Sequence, residues 1–290
     1  MGRTTEIRRL KLALAISSGY FFAETIAGFL TNSLALLSDA GHMLSDIGAM
    51  ALSLFAFRMA QRPATLESTY GYHRVEILAA LFNGLALWLI VGVIFTAAYN
   101  RLLDPPEVES RGMIIVAVVG LLVNIAAGMI LHGSHRDSLN LRGAYLHVVS
   151  DAIGSVGAIA AGFVMLGTGW YFADPLISLF IGLLILHSSW SLIKDCLSIL
   201  MQAVPKGIRL EEVKRTIEEV QGVVKVHDLH LWAVTSGIYT LSAHAVVDNG
   251  EDFHRVLNGI EETLRHRFRI EHTTIQLEIE SREENEFKGF

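Results

Sequence analysis

The sequence predicts an α-helical membrane protein: six transmembrane helices followed by a small soluble α+β domain. Three observations carry that reading. The composition is 52% hydrophobic and only 18% charged over 290 residues, with a mean hydropathy of +0.44, too apolar for an ordinary soluble domain. The apolar residues fall in blocks of about 20, the length that crosses a bilayer core. The last third changes character and becomes charged and periodic. The boundary is placed so that residues 1–204 form the transmembrane domain and residues 205–290 an aqueous one.

The spans are expected at 10–31, 36–58, 76–100, 112–132, 145–167 and 175–195. A short uncharged gap separates the first two. Pro63 breaks the second gap, "RMAQRPATLESTYGYHR", and Pro105-Pro106 stops the chain in the third, "NRLLDPPEVESR". "HGSHRDSLNLR" fills the fourth gap. Trp170, Tyr171 and Phe172 suit a membrane interface in the fifth. Arg3, Arg8, Arg9 and Lys11 precede the first span. Arg58, Arg62 and Arg74 lie in the second gap, Arg136 and Arg142 in the fourth. The opposite side holds only Arg101 and Arg111, offset by Asp104, Glu107 and Glu109. The positive-inside rule then puts the N-terminus, the C-terminus and the soluble domain in the cytoplasm.

Other features narrow the class. No small-residue cleavage site follows the first apolar segment, so no cleavable signal peptide is expected. Glu6 breaks the myristoylation pattern. The single cysteine, Cys196, excludes an intrachain disulfide and a CxxC zinc site, and reads as a packing residue. A net charge of −6 argues against a nucleic-acid partner.

Two short stretches sit oddly in this apolar chain. "HMLSD" runs from His42 to Asp46 and "HVVSD" from His147 to Asp151. A spacing of four places each histidine over its aspartate on one helix face. A lone carboxylate in a bilayer costs about 2.5–3.5 kcal/mol even on the insertion scale. One such pair reads equally well as an interhelix hydrogen bond; two matching pairs point to a common purpose. If the second and fifth spans pack together, two imidazoles and two carboxylates form a closed N₂O₂ shell suited to Zn²⁺. Small residues follow both aspartates, "DIGA" and "DAIGS", and permit close helix approach. Asp39, one turn before His42, reads either as a group orienting that histidine, as an acid on the ion path or as a helix-start carboxylate. Glu24 in the first span is a functional candidate by its rarity there, or an interhelix hydrogen-bond partner. Asn83 and Asn124 read as interhelix contacts.

In the tail, "GIRLEEVKRTIEEV" and "EDFHRVLNGIEETLRHRF" read as helices, and "VKVHDLHLWAV", "IYTLSAHAVV" and "HTTIQLEIE" as strands. Thr235-Ser236-Gly237 is the turn between the first two strands. The order helix-strand-strand-helix-strand gives a two-layer α+β domain.

"LLSDAGHMLSDIGAMALSLFAFRMA", "YGYHRVEILAALFNG", "NLRGAYLHVVSDAIGSVGAIAAG", "VHDLHLW" and "SAHAVV" resemble the cation diffusion facilitator family of metal/proton antiporters. The resemblance covers almost the whole chain. It implies six helices, a metallochaperone-like αββαβ cytoplasmic domain, and a homodimer. The His-Asp/His-Asp set is similar to the zinc-transporting members, in contrast to manganese transporters with aspartate at the histidine positions. By resemblance His227, His244 and Glu278 match metal-binding positions of the cytoplasmic domain. His254 and Gln276 fall where some members hold a second ion, for which Gln276 is a poor ligand. Some members also bind metal in the second gap. Here His73 stands there without most of that ligand set, and would need a residue from the cytoplasmic domain. His132 and His135 flank a fourth gap shorter than in many zinc members, and read as solvated.

The expected function is efflux of Zn²⁺, with Cd²⁺ or Co²⁺ as possible substrates, in exchange for protons by alternating access. No organic cofactor is expected. Short termini and a short fourth gap suit a prokaryotic inner membrane. Two rival readings are a membrane-embedded zinc hydrolase and a non-transporting metal sensor. A hydrolase needs an open coordination position, which four protein ligands would fill, and no HExxH occurs.

Overall fold

The computed structural model describes residues 18–132 and 139–279; some helical side chains, those of 139–147 among them, lie outside the description. The basic N-terminus, Arg136, Arg142, His132 and His135 therefore fall outside it, wholly or at the side chain. Helix α1 covers 18–30 of the described chain. It is followed by α2 (Leu34–Ala60), α3 (Val75–Leu103), α4 (Ser110–His132), α5 (Leu139–Thr168) and α6 (Ala173–Leu200). Then come α7 (Leu210–Glu218), β1 (Val223–Thr235), β2 (Ile238–Val247), α8 (Phe253–Phe268) and β3 (His272–Glu278).

The long helices outrun the apolar blocks that announce them. α5 begins at Leu139 rather than near 145, and α6 runs to Leu200 rather than 195. At about 1.5 Å per residue such helices are longer than a bilayer core of about 30 Å. Their ends can leave the hydrocarbon and still keep their hydrogen bonds. Four stretches among the described residues are long and apolar enough to cross a membrane: Val75–Leu103, Ser110–Met129, Val148–Thr168 and Ala173–Leu200. That is fewer than the expected six. Residues before 18, and some side chains of α2, lie outside the description.

The chain divides into two compact units, Met1–Leu52 with Phe82–Ser191, and Ser53–Leu81 with Leu192–Phe290. α2, α3 and α6 contribute residues to both. In the first unit, Met113 and Ala117 of α4 pack with Ala158, Ala161 and Met165 of α5 and with Ala35 and Leu36 of α2. A Cβ on Gly162 would lie 2.4 Å from Ile114 Cγ1, so glycine is what lets α5 approach α4 there. Leu87 and Val91 of α3 meet Ile181 and Ile185 of α6. Trp88 stacks on Trp190 and donates its Nε1–H to Ser189 Oγ at 3.1 Å.

A buried carboxylate fixes the start of α2. Asp174, at the head of α6, is fully buried. It accepts from Ser33 Oγ at 2.7 Å, from the Leu34 and Ala35 backbone N–H groups at 2.8 and 3.1 Å, and from Arg101 Nη1 at 3.1 Å. Those two N–H groups are free donors at a helix N-terminus, so a carboxylate borrowed from another helix serves as the cap. Arg101 also donates to the backbone oxygen and Oδ1 of Asn32, which holds a left-handed turn between α1 and α2 at φ 55°.

The second unit contains a three-stranded sheet in the order β1-β2-β3. β1 and β2 are antiparallel; β2 and β3 are parallel, with α8 as the crossover. Gly237, at φ 80°, makes the β1–β2 turn possible. α7 buries Val213, Thr216 and Ile217; α8 buries Val256, Ile260 and Leu264 on one stripe. Asp252 caps α8 by accepting from the N–H groups of His254 and Arg255, and Arg269 ends it in a left-handed conformation. These stripes close over Val226, Leu231, Leu241, Ala243, Ala245 and Val247 of the sheet. The core is drawn from residues 208–277 alone, so this domain has what it needs to fold by itself.

Candidate metal sites

α2 and α5 bring three of the four intramembrane candidates together. His42 Nε2 lies 3.8 Å from Asp46 Oδ2 one turn on, and 3.8 Å from Asp151 Oδ1 on α5. Two atoms that bind one tetrahedral zinc at about 2.0–2.1 Å are themselves about 3.3–3.4 Å apart. The observed spacing is within a small side-chain adjustment of that. His147 lies on α5, one turn before Asp151, and its side chain is outside the description. The three described side chains are partly shielded, at 15% exposure for His42, 34% for Asp46 and 14% for Asp151. Between the α2 ligand candidates, Ser45 is buried and donates to Asn83 Oδ1 of α3 at 3.1 Å, which holds this turn of α2 in rotation. Asn83 thus makes an interhelix contact.

A second cluster lies on the sheet. His227 and His244 are direct cross-strand partners in the β1–β2 ladder. Val246, two residues after His244, pairs with Glu278 of β3. The three side chains place one ligand atom each within 4.8 Å of one another. His227 Nε2 is 3.2 Å from Glu278 Oε2, and His244 Nδ1 is 3.3 Å from Glu278 Oε1. His227 and Glu278 are buried. His244 Nδ1 is buried too and makes no hydrogen bond. Ring nitrogens and carboxylate oxygens pointing at one centre present lone pairs to each other, an arrangement that a cation satisfies. Gln276 does not join as a ligand; its Nε2–H donates to Glu278 Oε1 at 2.7 Å and orients that carboxylate. Among the described residues this is the single group of three or more His, Cys, Asp or Glu close enough to share an ion.

The other candidates are scattered. His254 is exposed at the start of α8, where its backbone serves the cap. His73 is half-buried and lines a cavity of about 290 Å³ with Arg62, Tyr70, Thr240 and His272. Cys196 is buried in α6.

Sequence reasoning missed Asp228. It sits at φ 47°, where the β1 register shifts between His227 and His230. Its Oδ1 is 2.8 Å from His230 Nε2 and its Oδ2 is 3.8 Å from His244 Nε2. An aspartate in a left-handed position is a bulge signal, and "HDLH" contains it. Asp174 was missed as well, because its partners are remote in sequence.

Comparison with known proteins decides the family. A model described as the cation efflux transmembrane domain matches residues 10–201, and one described as the cation efflux protein cytoplasmic domain matches 205–280. The chain belongs to the cation efflux family. This is the cation diffusion facilitator family that its motifs resemble, a family of transporters rather than enzymes. The chain is 45% identical to a cadmium, cobalt and zinc/H(+)-K(+) antiporter of Bacillus subtilis, over 94% of this chain and 89% of that protein. It is 44% identical to the metal cation efflux system protein CzcD of Cupriavidus metallidurans, over 94% and 86%. It is 41% identical to the zinc transporter ZitB of Escherichia coli, over 94% and 88%. Membership makes it an integral membrane protein with a cytoplasmic domain.

Proposed function

We propose that the protein exports Zn²⁺ from the cytoplasm across a bacterial inner membrane in exchange for protons, as a homodimer, with Cd²⁺ and Co²⁺ as further substrates. The observation that carries this is the placement of His42 Nε2 3.8 Å from carboxylates on two different helices. His147, one turn from Asp151, completes a His₂Asp₂ set. Six spans with both termini in the cytoplasm give that site access to either side in turn. The names of the relatives, antiporter and zinc transporter, point the same way.

The chemistry follows from the ligand set. Zn²⁺ needs neutral imidazoles and ionised carboxylates, so metal and protons compete for the same lone pairs. Loading releases protons to the side from which zinc comes. After the site opens to the far side, protons reclaim the ligands and zinc leaves. Histidine suits this exchange because its ordinary titration range lies near working pH.

His227, His244 and Glu278 form the second site, which holds a regulatory zinc in the cytoplasmic domain. The donor set fits zinc: two imidazoles, one of them with a buried ring nitrogen that makes no hydrogen bond, and one carboxylate. This site cannot move an ion across the bilayer. His73 and His254 are weaker sites at most. A non-transporting sensor would keep the sheet cluster and have no use for the intramembrane one.

The test is zinc flux in proteoliposomes. The purified protein should accumulate zinc when an opposing proton gradient is imposed, and vesicles without the gradient should only equilibrate. Absence of gradient-driven accumulation by a folded, reconstituted protein would refute the antiport reading.

A further inference from the structure

The transport cycle and the sheet cluster leave Asp228 without a task. It follows His227 in β1 and stands at φ 47°, where the pairing with β2 shifts between His227 and His230. Aspartate is one of the few residues besides glycine that take up this left-handed backbone. The bulge sets its carboxylate beside two rings. Oδ1 is 2.8 Å from His230 Nε2, and Oδ2 is 3.8 Å from His244 Nε2. A carboxylate only accepts, so His230 Nε2 carries the proton of the shorter contact.

His244 therefore has a carboxylate beside each ring nitrogen. Nδ1 is 3.3 Å from Glu278 Oε1, and Nε2 is next to Asp228. The two nitrogens have different work. Nδ1 is buried and makes no hydrogen bond, so it is the one that offers a lone pair to an ion shared with His227 and Glu278. A neutral imidazole that gives its Nδ1 lone pair to a metal carries its proton on Nε2. A side-chain shift of about 1 Å brings Nε2 and Oδ2 to the about 2.7–2.9 Å of a charge-assisted hydrogen bond. Asp228 is not itself among the three residues whose ligand atoms lie within 4.8 Å of one another.

We infer that Asp228 is the positioning residue of the sheet site: its carboxylate accepts the His244 Nε2 proton and holds the ring with Nδ1 toward the ion. The inference rests on the reading of His227, His244 and Glu278 as a zinc site. A carboxylate behind a metal-bound imidazole fixes its tautomer and orientation and makes the bound nitrogen a better donor. It also adds negative charge near a dication whose own ligand set holds one carboxylate. His230 secures the arrangement, since it takes Oδ1 and leaves Oδ2 for His244. The run His227-Asp228-Leu229-His230 thus supplies a ligand, the group that orients a second ligand across the ladder, and the side chain that anchors that group.

The experiment uses the isolated domain, residues 205–290, which has its own core, with zinc as the probe. Affinity is measured by competition with a chelating dye. Nitrogen NMR of the histidine rings reports which nitrogen binds metal and which holds the proton. Asp228→Gly removes the carboxylate without straining a left-handed position. Asp228→Asn keeps that backbone and an acceptor oxygen but not the charge. The wild-type domain should bind zinc through His244 Nδ1 with Nε2 protonated. Asp228→Gly should bind zinc about 10–100-fold more weakly, the usual loss for such a partner, with the His244 Nε2 proton lost to exchange with water. Its circular dichroism without metal should match wild type, and Asp228→Asn should fall between the two in affinity. If Asp228→Gly binds zinc within about twofold of wild type, or wild-type His244 binds through Nε2, the inference is wrong. If Asp228→Gly does not fold, Asp228→Asn decides: an affinity and a His244 proton signal equal to wild type overturn the inference. If the wild-type domain binds no zinc, the reading of the cluster as a zinc site fails and takes this inference with it.

Discussion

His42 stands between two carboxylates, its Nε2 3.8 Å from Asp46 on its own helix and 3.8 Å from Asp151 on α5, so the proposed site should be sensitive to its ligand type. A carboxylate oxygen in its place makes the site harder and more negative. His42→Asp should therefore lower zinc transport relative to Mn²⁺, read as competition between the ions in one flux assay. An unchanged order of preference would mean that ligand type is not the filter. In the proposed site Asp46 and Asp151 would carry the charge that compensates the cation. With either one gone, a divalent ion in a low-dielectric site loses a full countercharge. Asp46→Ala and Asp151→Ala should each reduce gradient-driven zinc flux to the level of empty vesicles, while size-exclusion elution stays at the wild-type volume. Near-normal flux in either variant would remove that residue from the site. These residues were legible in the sequence because ionisable side chains stand out in apolar helices. Asp228 was not, because its effect lies in a backbone turn rather than in a spacing.

Helices and strands were legible to the extent that their signals are local. The apolar blocks place α2 to α6 with ends up to six residues short, and the alternation of "IYTLSAHAVV" gives β2 end to end. The pairing of His227 with His244 could not be counted from alternation. β1 shifts register at three places, and the bulge at Asp228 puts His227 inward next to the buried Val226. Glu278 reaches the pair through a parallel strand that follows α8, a long-range contact without a local mark. The same holds for Asp174, which reads as an ordinary helix-start residue yet caps α2 across the bundle. Removing its carboxylate leaves two backbone donors and the Ser33 hydroxyl without this acceptor, and takes the carboxylate partner from Arg101, which keeps its bonds to Asn32. Breaking a buried ion pair in this way costs about 3–5 kcal/mol. Asp174→Ala should lower the thermal unfolding midpoint in detergent, and Asp174→Asn should lower it less because an amide oxygen still accepts. Equal midpoints for wild type and Asp174→Ala would show that α2 does not depend on this cap.

At the scale of the whole molecule, the proposal places two metal sites of different kind on one chain, and their roles can be told apart. The sheet cluster stands on a domain with its own core, outside the apolar helices. Zinc bound there can influence transport only by binding one arrangement of the dimer better than another. The size of its effect is bounded by that difference in affinity, whereas the proposed intramembrane site would lie on the path itself. His244→Ala should therefore weaken apparent zinc affinity or slow transport, yet leave measurable proton-driven flux, where Asp151→Ala leaves none. Metal counting gives the independent reading. The isolated domain, residues 205–290, should bind zinc at micromolar concentrations, and His244→Ala should lose it while keeping its circular dichroism spectrum. If the wild-type domain binds no zinc, the cluster is a packing arrangement of two histidines and a glutamate. If His244→Ala is folded but as inactive as Asp151→Ala, the sheet site is an obligatory step in transport and not a regulator, because a bias between two arrangements slows a cycle without abolishing it.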